Sequence, residues 1–183
     1  GSITRSTRAP AAEELLVDGA HPATRSFEVG NPDLGMERSL GFETVLRGRK
    51  DGWNVEISGF FNHFPNYIYL TPTGDEREGL PLFAYRQARA RYWGMEASGE
   101  LRVARTGRTD IPLSGLADFV RADLLDGGGP VPRLPPLRMQ AAIEATGGVV
   151  GGRLEAEHVV RASRLAAFET PTPGYTMVNL SVS

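Results

Sequence analysis

The sequence predicts an all-β protein, an antiparallel meander of strands, from three observations. First, apolar and polar residues alternate along most of the chain, as they do on the two faces of a strand; residues 92–103, YWGMEASGELRV, place Trp93 and Leu101 on one face and Glu96 and Glu100 on the other. Second, helical periodicity is confined to residues 10–16, which open on a proline. Third, 22 glycines and 13 prolines among 183 residues supply the turns of such a fold.

Seven segments carry the strand pattern, and glycine, proline and charged residues accumulate between them. The Asp51-Gly52 pair, between the first two segments, is a strong hairpin signal. The predicted strands are residues 38–48, 53–70, 82–104, 112–124, 137–146, 153–161 and 175–183.

Each predicted strand has one apolar and one polar face. In the first strand Leu40, Phe42 and Leu46 alternate with Glu43 and Arg47. The apolar face of residues 112–124 is predicted to carry Leu116, Val120, Ala122 and Leu124. The polar faces are predicted to carry Glu43, Glu56, Glu96, Glu100, Arg102, Arg121, Asp123 and Glu144, hydrated or paired across strands.

The connections between the strands alternate in length. Residues 9–36, 71–81, 126–136 and 163–174 are predicted long loops, and residues 49–52, 105–110 and 147–152 are predicted short turns. Short turns at one end and long loops at the other are typical of an outer-membrane β-barrel. A soluble antiparallel β-sandwich or barrel that binds a ligand is the alternative.

Strand length and aromatic placement also favour the membrane barrel. The segments that begin at Trp53 and Leu82 exceed the ~5–6 residues that are usual in soluble sheets. Aromatic residues near the predicted strand ends suit an interfacial girdle, although aromatics are also good strand formers. They are Trp53, Tyr67, Tyr69, Tyr85, Tyr92, Trp93 and Tyr175.

Composition and motifs narrow the function classes. A formal net charge of −2 gives no reason to expect a nucleic-acid partner. The absence of cysteine excludes disulfides and thiolate metal sites. No nucleophile-elbow, phosphate-loop or zinc-protease motif occurs, and Glu96 and Glu100 on one strand are ~13 Å apart, too far to cooperate as paired catalytic carboxylates. An enzyme and a resident cofactor are therefore not expected.

Several stretches resemble the barrel region of TonB-dependent outer-membrane receptors. Residues 8–39 are similar to a loop of this family with Gly-x-His-x-Ala-Thr followed by Phe-Glu-x-Gly-Asn-Pro-x-Leu-x-x-Glu-x-Ser. FFNHFPNYIYL resembles a family strand that ends in Phe-x-Asn-x-Phe-x-x-Tyr-Ile, and Gln87, Ala90, Gly94 and Glu96 match a Gln-x-x-Ala-x-x-x-Gly-x-Glu pattern. VPRLPPLR and FETPTPGY resemble later junctions between loops and strands.

The resemblance implies part of a 22-stranded barrel that surrounds a plug in the bacterial outer membrane. Such a receptor takes up a scarce nutrient, such as zinc, siderophore-bound iron or cobalamin, using the inner-membrane TonB complex, which acts through a plug region that this segment lacks. The form of residues 19–24 is most similar to a zinc-uptake subgroup. Residues 1–2 are interpreted as a cloning scar and residues 3–183 as barrel domain. In isolation, the piece is expected to form a smaller closed sheet or to pair with a second copy, because lipid no longer covers its apolar face.

Two histidines are the candidate substrate contacts. His21 lies in the first long loop near Glu13, Glu14 and Asp18, which are side chains that suit zinc, although solvated loop charge is the simpler interpretation. His63 lies near the loop end of a long strand and is predicted to reach the same vestibule. His158 follows Glu155 and Glu157, but alternation places it on the opposite face of the strand from them, which argues against one shared site. Whether this segment binds metal is left open.

Overall fold

Strands dominate the computed structural model, which describes residues 1–107, 109–147, 150–167 and 169–183. The helix lies within the segment predicted to be helical, and β1 and the short strands β2, β3 and β8 were not predicted. In chain order the elements are β1 (Ser2–Arg8), α1 (Ala12–Leu16), β2 (Asp18–His21), β3 (Ser26–Val29), β4 (Glu37–Lys50), β5 (Trp53–Arg77), β6 (Leu80–Thr106), β7 (Thr109–Leu124), β8 (Gly129–Pro130), β9 (Arg138–Gly147), β10 (Val150–Val159) and β11 (Tyr175–Val182).

The strands form one antiparallel meander, which confirms the predicted fold class. Its continuous path runs β1-β4-β5-β6-β7-β9-β10-β11, and each strand pairs antiparallel with its neighbours on this path. Among the described residues the path does not close on itself, so the smaller closed sheet expected for the isolated piece does not form. Off the path, β2 pairs with β3, β3 runs parallel to β6, and β8 pairs with β7.

The connections define two ends of the sheet. Asp51 and Gly52 form a tight turn between β4 and β5 at what we call the turn end. The turns predicted at residues 105–110 and 147–152 include Arg108, Gly148 and Val149, which lie outside the described residues. Residues 9–36, 125–137 and 160–174 connect strands at the opposite end, which we call the loop end.

The loop predicted at residues 71–81 is wrong, because β5 and β6 continue through it as a long hairpin. These strands have 25 and 27 residues. Only Glu78 and Gly79 connect them, with φ of 55° and 73°, as a tight primed turn requires. Pro72 and Pro81 in the extension made it resemble a loop, but the register shift between Pro72 and Glu76 accommodates them.

The register gives the sheet an apolar face and a polar face, since directly paired residues point to the same side. One row of the apolar face joins Leu46, Ile57, Ala97, Ala117 and Met139. From Trp53 to Phe61, nine residues along β5, the apolar face carries no charge. This length matches the ~9–11 residues that cross a bilayer as a tilted strand. We call the apolar-face residues from Trp53 to Phe61, with the apolar-face residues that pair with them on neighbouring strands, the uncharged band.

The face assignment predicted for β7 is wrong. Arg121 pairs with Trp93, and Asp123 with Arg91, on the apolar side, whereas Ala122 pairs with Tyr92 on the polar side. Leu116, Val120 and Leu124 also share the polar side. The prediction failed because Ala122 and Leu124 pack with Val131 of a loop that folds back over the polar face, and because Arg121 and Asp123 lie beyond the uncharged band.

A small core lies on the polar face at the loop end. Ala90 and Ala122 are fully buried, and Leu124 and Val131 are nearly so. Val131 lies in the loop after β8, and its N–H donates to the Ala122 carbonyl. The loop is therefore packed onto the inner side of β6 and β7.

Candidate functional site

Three aromatic rings form the floor of the loop end on the polar face. Phe64, Tyr67 and Tyr92 contact one another with ring centroids 5.2 to 5.5 Å apart. The Tyr92 hydroxyl donates to the Tyr67 hydroxyl at 2.7 Å. The two tyrosines therefore belong to this inner cluster and not to the predicted girdle, whereas Trp53 and Trp93 lie on the apolar face.

Glu169 joins two of the loops above this floor. Its carboxylate accepts the Arg133 N–H at 2.6 Å and the Ala166 N–H at 2.8 Å. Arg133 has φ of 63°, which is uncommon for a residue with a side chain. The two loops thus meet through a carboxylate that bonds the backbone, which leaves the Arg133 side chain available to the adjoining cavities.

Two adjoining cavities at the loop end form what we call the loop-end cleft. One has a volume of about 470 Å³ and the other about 800 Å³. Arg133 and Glu169 line both, so the cavities meet at these residues. The smaller is lined by Thr24, Ser26, Tyr67, Tyr69, Tyr85 and Leu124 among others, and the larger by Asp118, Arg138, Arg164 and Tyr175 among others. Both volumes fall within the range of small-molecule sites.

Tyr85 gives the smaller cavity a hydroxyl that stays protonated. Burial raises its pKa, and the nearby carboxylates of Glu13, Glu28 and Glu14 raise it further. It can therefore donate a hydrogen bond at neutral pH. Tyrosine hydroxyls with the Arg133 guanidinium suit a ligand with oxygen acceptors or negative charge.

An ionic network anchors the first loop. Arg8 donates to Glu14 at 2.8 Å and to Glu37 at 3.2 Å. Burial acts to raise the pKa of Glu14, but the hydrogen bonds from Arg8 and from the Ala11 N–H leave it below its ordinary value. Glu14 therefore stays ionised and keeps α1 against the end of β1.

Gln87 fixes the same loop to the long hairpin. Its side-chain amide accepts the Gly35 N–H at 2.9 Å and donates to the Gly35 carbonyl at 2.8 Å. It also donates to the Asn66 carbonyl at 3.3 Å. Gln87 is one of the residues that carry the family resemblance, and here it positions a loop beside the cleft.

The structure does not bring the predicted histidines together as one site. His21 ends β2, and its Nδ1 hydrogen-bonds the Thr24 hydroxyl at 2.9 Å, close to the cleft that Thr24 lines. His63 pairs with Leu40 and Arg91, on the apolar side of the sheet. His158 bonds the Thr176 hydroxyl at 2.8 Å. A substrate contact by either His21 or His63 stays a prediction.

Polar-face charges pair across strands toward the turn end, as predicted. Arg47 and Glu56 lie 2.6 Å apart, and Arg153 lies 3.3 Å from Glu144 on the neighbouring strand. Arg153 also contacts Glu155 on its own strand at 2.8 Å. Within the described ranges no group of three or more His, Cys, Asp or Glu side chains is arranged to hold a metal ion. None of the helices in those ranges has the length and apolar character needed to cross a membrane.

Sequence reasoning missed the cleft itself. Tyr67, Arg133 and Glu169 are far apart in sequence and meet only because two loops fold inward. The apolar Val131 and Leu134 inside a loop rich in glycine and proline were the available signal, since such residues need a surface to cover them.

Solved structures with the same fold are transport proteins and receptors. The copper transporter OprC matches with a TM-score of 0.83 at 15% identity, over 98% of this chain and 27% of that one. The siderophore receptor PirA from Acinetobacter baumannii matches with a TM-score of 0.68 at 15% identity, over 98% and 31%. A mutant of the ferric enterobactin receptor PfeA from Pseudomonas aeruginosa gives 0.64 at 15% identity, over 98% and 29%.

This chain thus spans less than a third of each of those proteins. At this level of identity the likeness concerns the fold. The family itself follows from a comparison with protein-family models, in which the model for the TonB dependent receptor-like β-barrel matches residues 1–183. The chain belongs to the TonB-dependent receptor β-barrel family, a family of the bacterial outer membrane.

Proposed function

We propose that this chain is one part of an outer-membrane receptor barrel that takes up a nutrient metal or a metal chelate, and that the loop-end cleft contacts the substrate. The observation that carries the proposal is the division of one sheet into an uncharged band on one face and a cleft with ionic groups on the other. A barrel wall needs both, because one side meets lipid and the other meets water or the substrate.

The apolar face argues against the alternative, a soluble ligand-binding sandwich. Phe42, Ile57 and Met95 are 51%, 39% and 52% exposed. Two layers that packed in water would bury such side chains. In a membrane, lipid covers them.

The cleft favours a chelate as substrate. Cavities of about 470 and 800 Å³ have room for an organic ligand around a metal. Tyr69, Tyr85 and Arg133 present donors to the carboxylate, catecholate or hydroxamate oxygens that bind iron in such ligands. Zinc and cobalamin remain the other candidates, and transport would depend on the TonB complex acting through a plug outside this segment.

Uptake in cells tests the proposal. A strain without the receptor gene is complemented with the wild-type receptor, with Arg133→Gly or with Arg49→Gln. Glycine suits the positive φ at position 133, so Arg133→Gly removes the charge with little backbone strain. Arg49 lies at the turn end and serves as the control.

We expect the deletion to abolish uptake of one substrate among radiolabelled zinc, ferric siderophores and cobalamin. Arg133→Gly should reduce that uptake, and Arg49→Gln should not. Unchanged uptake of all three substrates on deletion of the gene would contradict the proposal. The same strain tests His21→Ala against His63→Ala for zinc, and the position of His21 beside Thr24 predicts the larger loss for His21.

A further inference from the structure

The sheet parts between β7 and β9 near the loop end. The two strands pair as far as Asp118, and contact with β7 resumes at Ala122, whose carbonyl accepts the Val131 N–H. Between these contacts, residues 119–121 of β7 face residues 132–137. Three of those six facing residues are prolines, which have no N–H to offer a ladder. Among the described residues, no backbone hydrogen bond joins the two segments.

A cavity of about 190 Å³ lies in this opening, and we call it the wall slot. Phe119 and Val120 line it on the β7 side, and Pro136 and Leu137 line it on the other side. Phe119 pairs with Met95 on the apolar face, so the slot reaches the end of the uncharged band. Its volume is smaller than that of a usual small-molecule site, so the slot suits one part of a ligand.

The wall slot adjoins the larger cavity of the loop-end cleft. Leu134, Pro135 and Val160 line both cavities, which therefore meet at these residues. Arg133 lines the larger cavity and directly precedes Leu134 in the chain. A ligand that binds the Arg133 guanidinium therefore lies beside apolar surface that continues into the slot.

The cations beside the wall slot have partners within the chain. The Arg164 guanidinium donates to the Ala122 carbonyl at 3.0 Å and to the Asp123 carboxylate. The Arg121 guanidinium lies 5.3 Å from the centroid of the Phe119 ring. The stems of such side chains are apolar. The slot is therefore better suited to an alkyl group than to an anion.

We propose that the substrate of the loop-end cleft is a metal chelate that carries an alkyl chain, and that the wall slot holds the part of this chain nearest the chelating group. The proposal rests on the proposed function, since it names the class of chelate that the cleft binds. Each methylene group kept from water contributes about a fourfold gain in affinity. The slot lets the chelating group enter the cleft while the rest of the chain stays beside the uncharged band, in lipid.

A matched pair of ferric chelates tests the wall slot. Ferrioxamine B that is acylated on its terminal amine with an acetyl or a dodecanoyl group gives two neutral hydroxamate complexes that differ only in chain length. Their affinities for the purified full-length receptor in lipid nanodiscs are measured by quenching of tryptophan fluorescence. Folding of each variant is checked by heat-dependent migration in detergent gels.

Two variants alter the slot from opposite sides. Leu137→Asn places a polar group of similar size in the slot, and Ser163→Arg places a long charged side chain there from an exposed loop position. Leu113→Asn is the matched control, because Leu113 is a 41% exposed leucine of the apolar face toward the turn end. The chain partitions equally into the nanodisc for every variant, so the comparison between variants isolates the slot.

We expect the wild type and Leu113→Asn to bind the dodecanoyl complex at least tenfold more tightly than the acetyl complex, since two or more methylene groups are buried. Leu137→Asn and Ser163→Arg should lose this preference and keep the affinity for the acetyl complex. Equal binding of the two complexes by the wild type, or a preference retained by either slot variant, would overturn the role of the wall slot but not the receptor function. Binding of neither complex by the wild type would instead contradict the proposed chelate-binding cleft.

Discussion

Loss of the Gln87 side-chain amide should release the first loop from the long hairpin. Gln87→Leu keeps a side chain of similar size and removes both bonds to Gly35 and the bond to Asn66. The pairing of β5 with β6 does not depend on this side chain, because the ladder bonds come from the backbone. The expected effect is therefore local opening of residues 31–37 and not unfolding of the sheet.

The magnitude follows from the bonds lost. The two bonds to Gly35, at 2.9 and 2.8 Å, are well formed, and each contributes about 1 kcal/mol net. Together they amount to about 2 kcal/mol, which corresponds to roughly a thirtyfold rise in the population of the open loop.

Hydrogen–deuterium exchange on the receptor measures this opening directly. The Gly35 amide should exchange roughly thirtyfold faster in Gln87→Leu. Arg86→Leu is the matched control, since Arg86 is the preceding residue of β6, is exposed and points to the other face. Equal exchange at Gly35 in the two variants would refute the anchoring role of Gln87.

Three further predictions concern packing, the aromatic floor and a loop carboxylate. Gly94→Ala should destabilise the receptor by about 1–3 kcal/mol, because the added carbon would lie 2.5 Å from a backbone oxygen. Gly115→Ala is the control, since the nearest atom to its added carbon would lie at 3.7 Å, and its thermal unfolding midpoint should equal that of the wild type. Tyr92→Phe should lower the free energy of unfolding by about 1 kcal/mol through loss of the hydroxyl–hydroxyl bond; an unchanged urea midpoint would contradict this. The hydrogen bond from Arg89 lowers the pKa of Asp126. The pair therefore stabilises the loop at pH values above the ordinary aspartate pKa, and this stabilisation is lost as the pH falls through the lowered pKa. Carboxyl NMR should show the pKa of Asp126 returning toward its ordinary value in Arg89→Gln and at high salt.

The strands of the uncharged band could be predicted because lipid and water impose opposite chemistry on alternate residues. Leu46, Trp93 and Leu101 were assigned correctly to the apolar face for this reason. The same argument failed for Ala122 and Leu124, which alternate equally well but are covered by protein on the polar side. Alternation shows that two faces differ, and only the register shows which of them meets lipid.

The loop end could be predicted less well, because long-range contacts decide its structure. Residues 71–81 have the composition of a loop, yet pairing with the opposite strand keeps them extended. The Glu169 carboxylate joins two loops by accepting a hydrogen bond from the Arg133 backbone N–H. Because any residue but proline offers that N–H, no local pattern in the sequence predicts the contact. Arg121 and Asp123 were predicted on the wrong face because alternation assigns every charged residue to the face that meets water. Just beyond the uncharged band, charged residues also occur on the face that meets lipid.

The two-residue tip of the long hairpin offers a position for a topology label. His63 and Arg77 pair with Arg91 and Leu80, and these 11 steps along β6 cover about 36 Å of its axis. Glu78 and Gly79 therefore project well past the band. Both have positive φ, and a side chain added at Gly79 would meet no atom within 4 Å. A short epitope inserted between them should leave the ladder intact, and antibody staining of unbroken cells would then report which side of the envelope the hairpin faces.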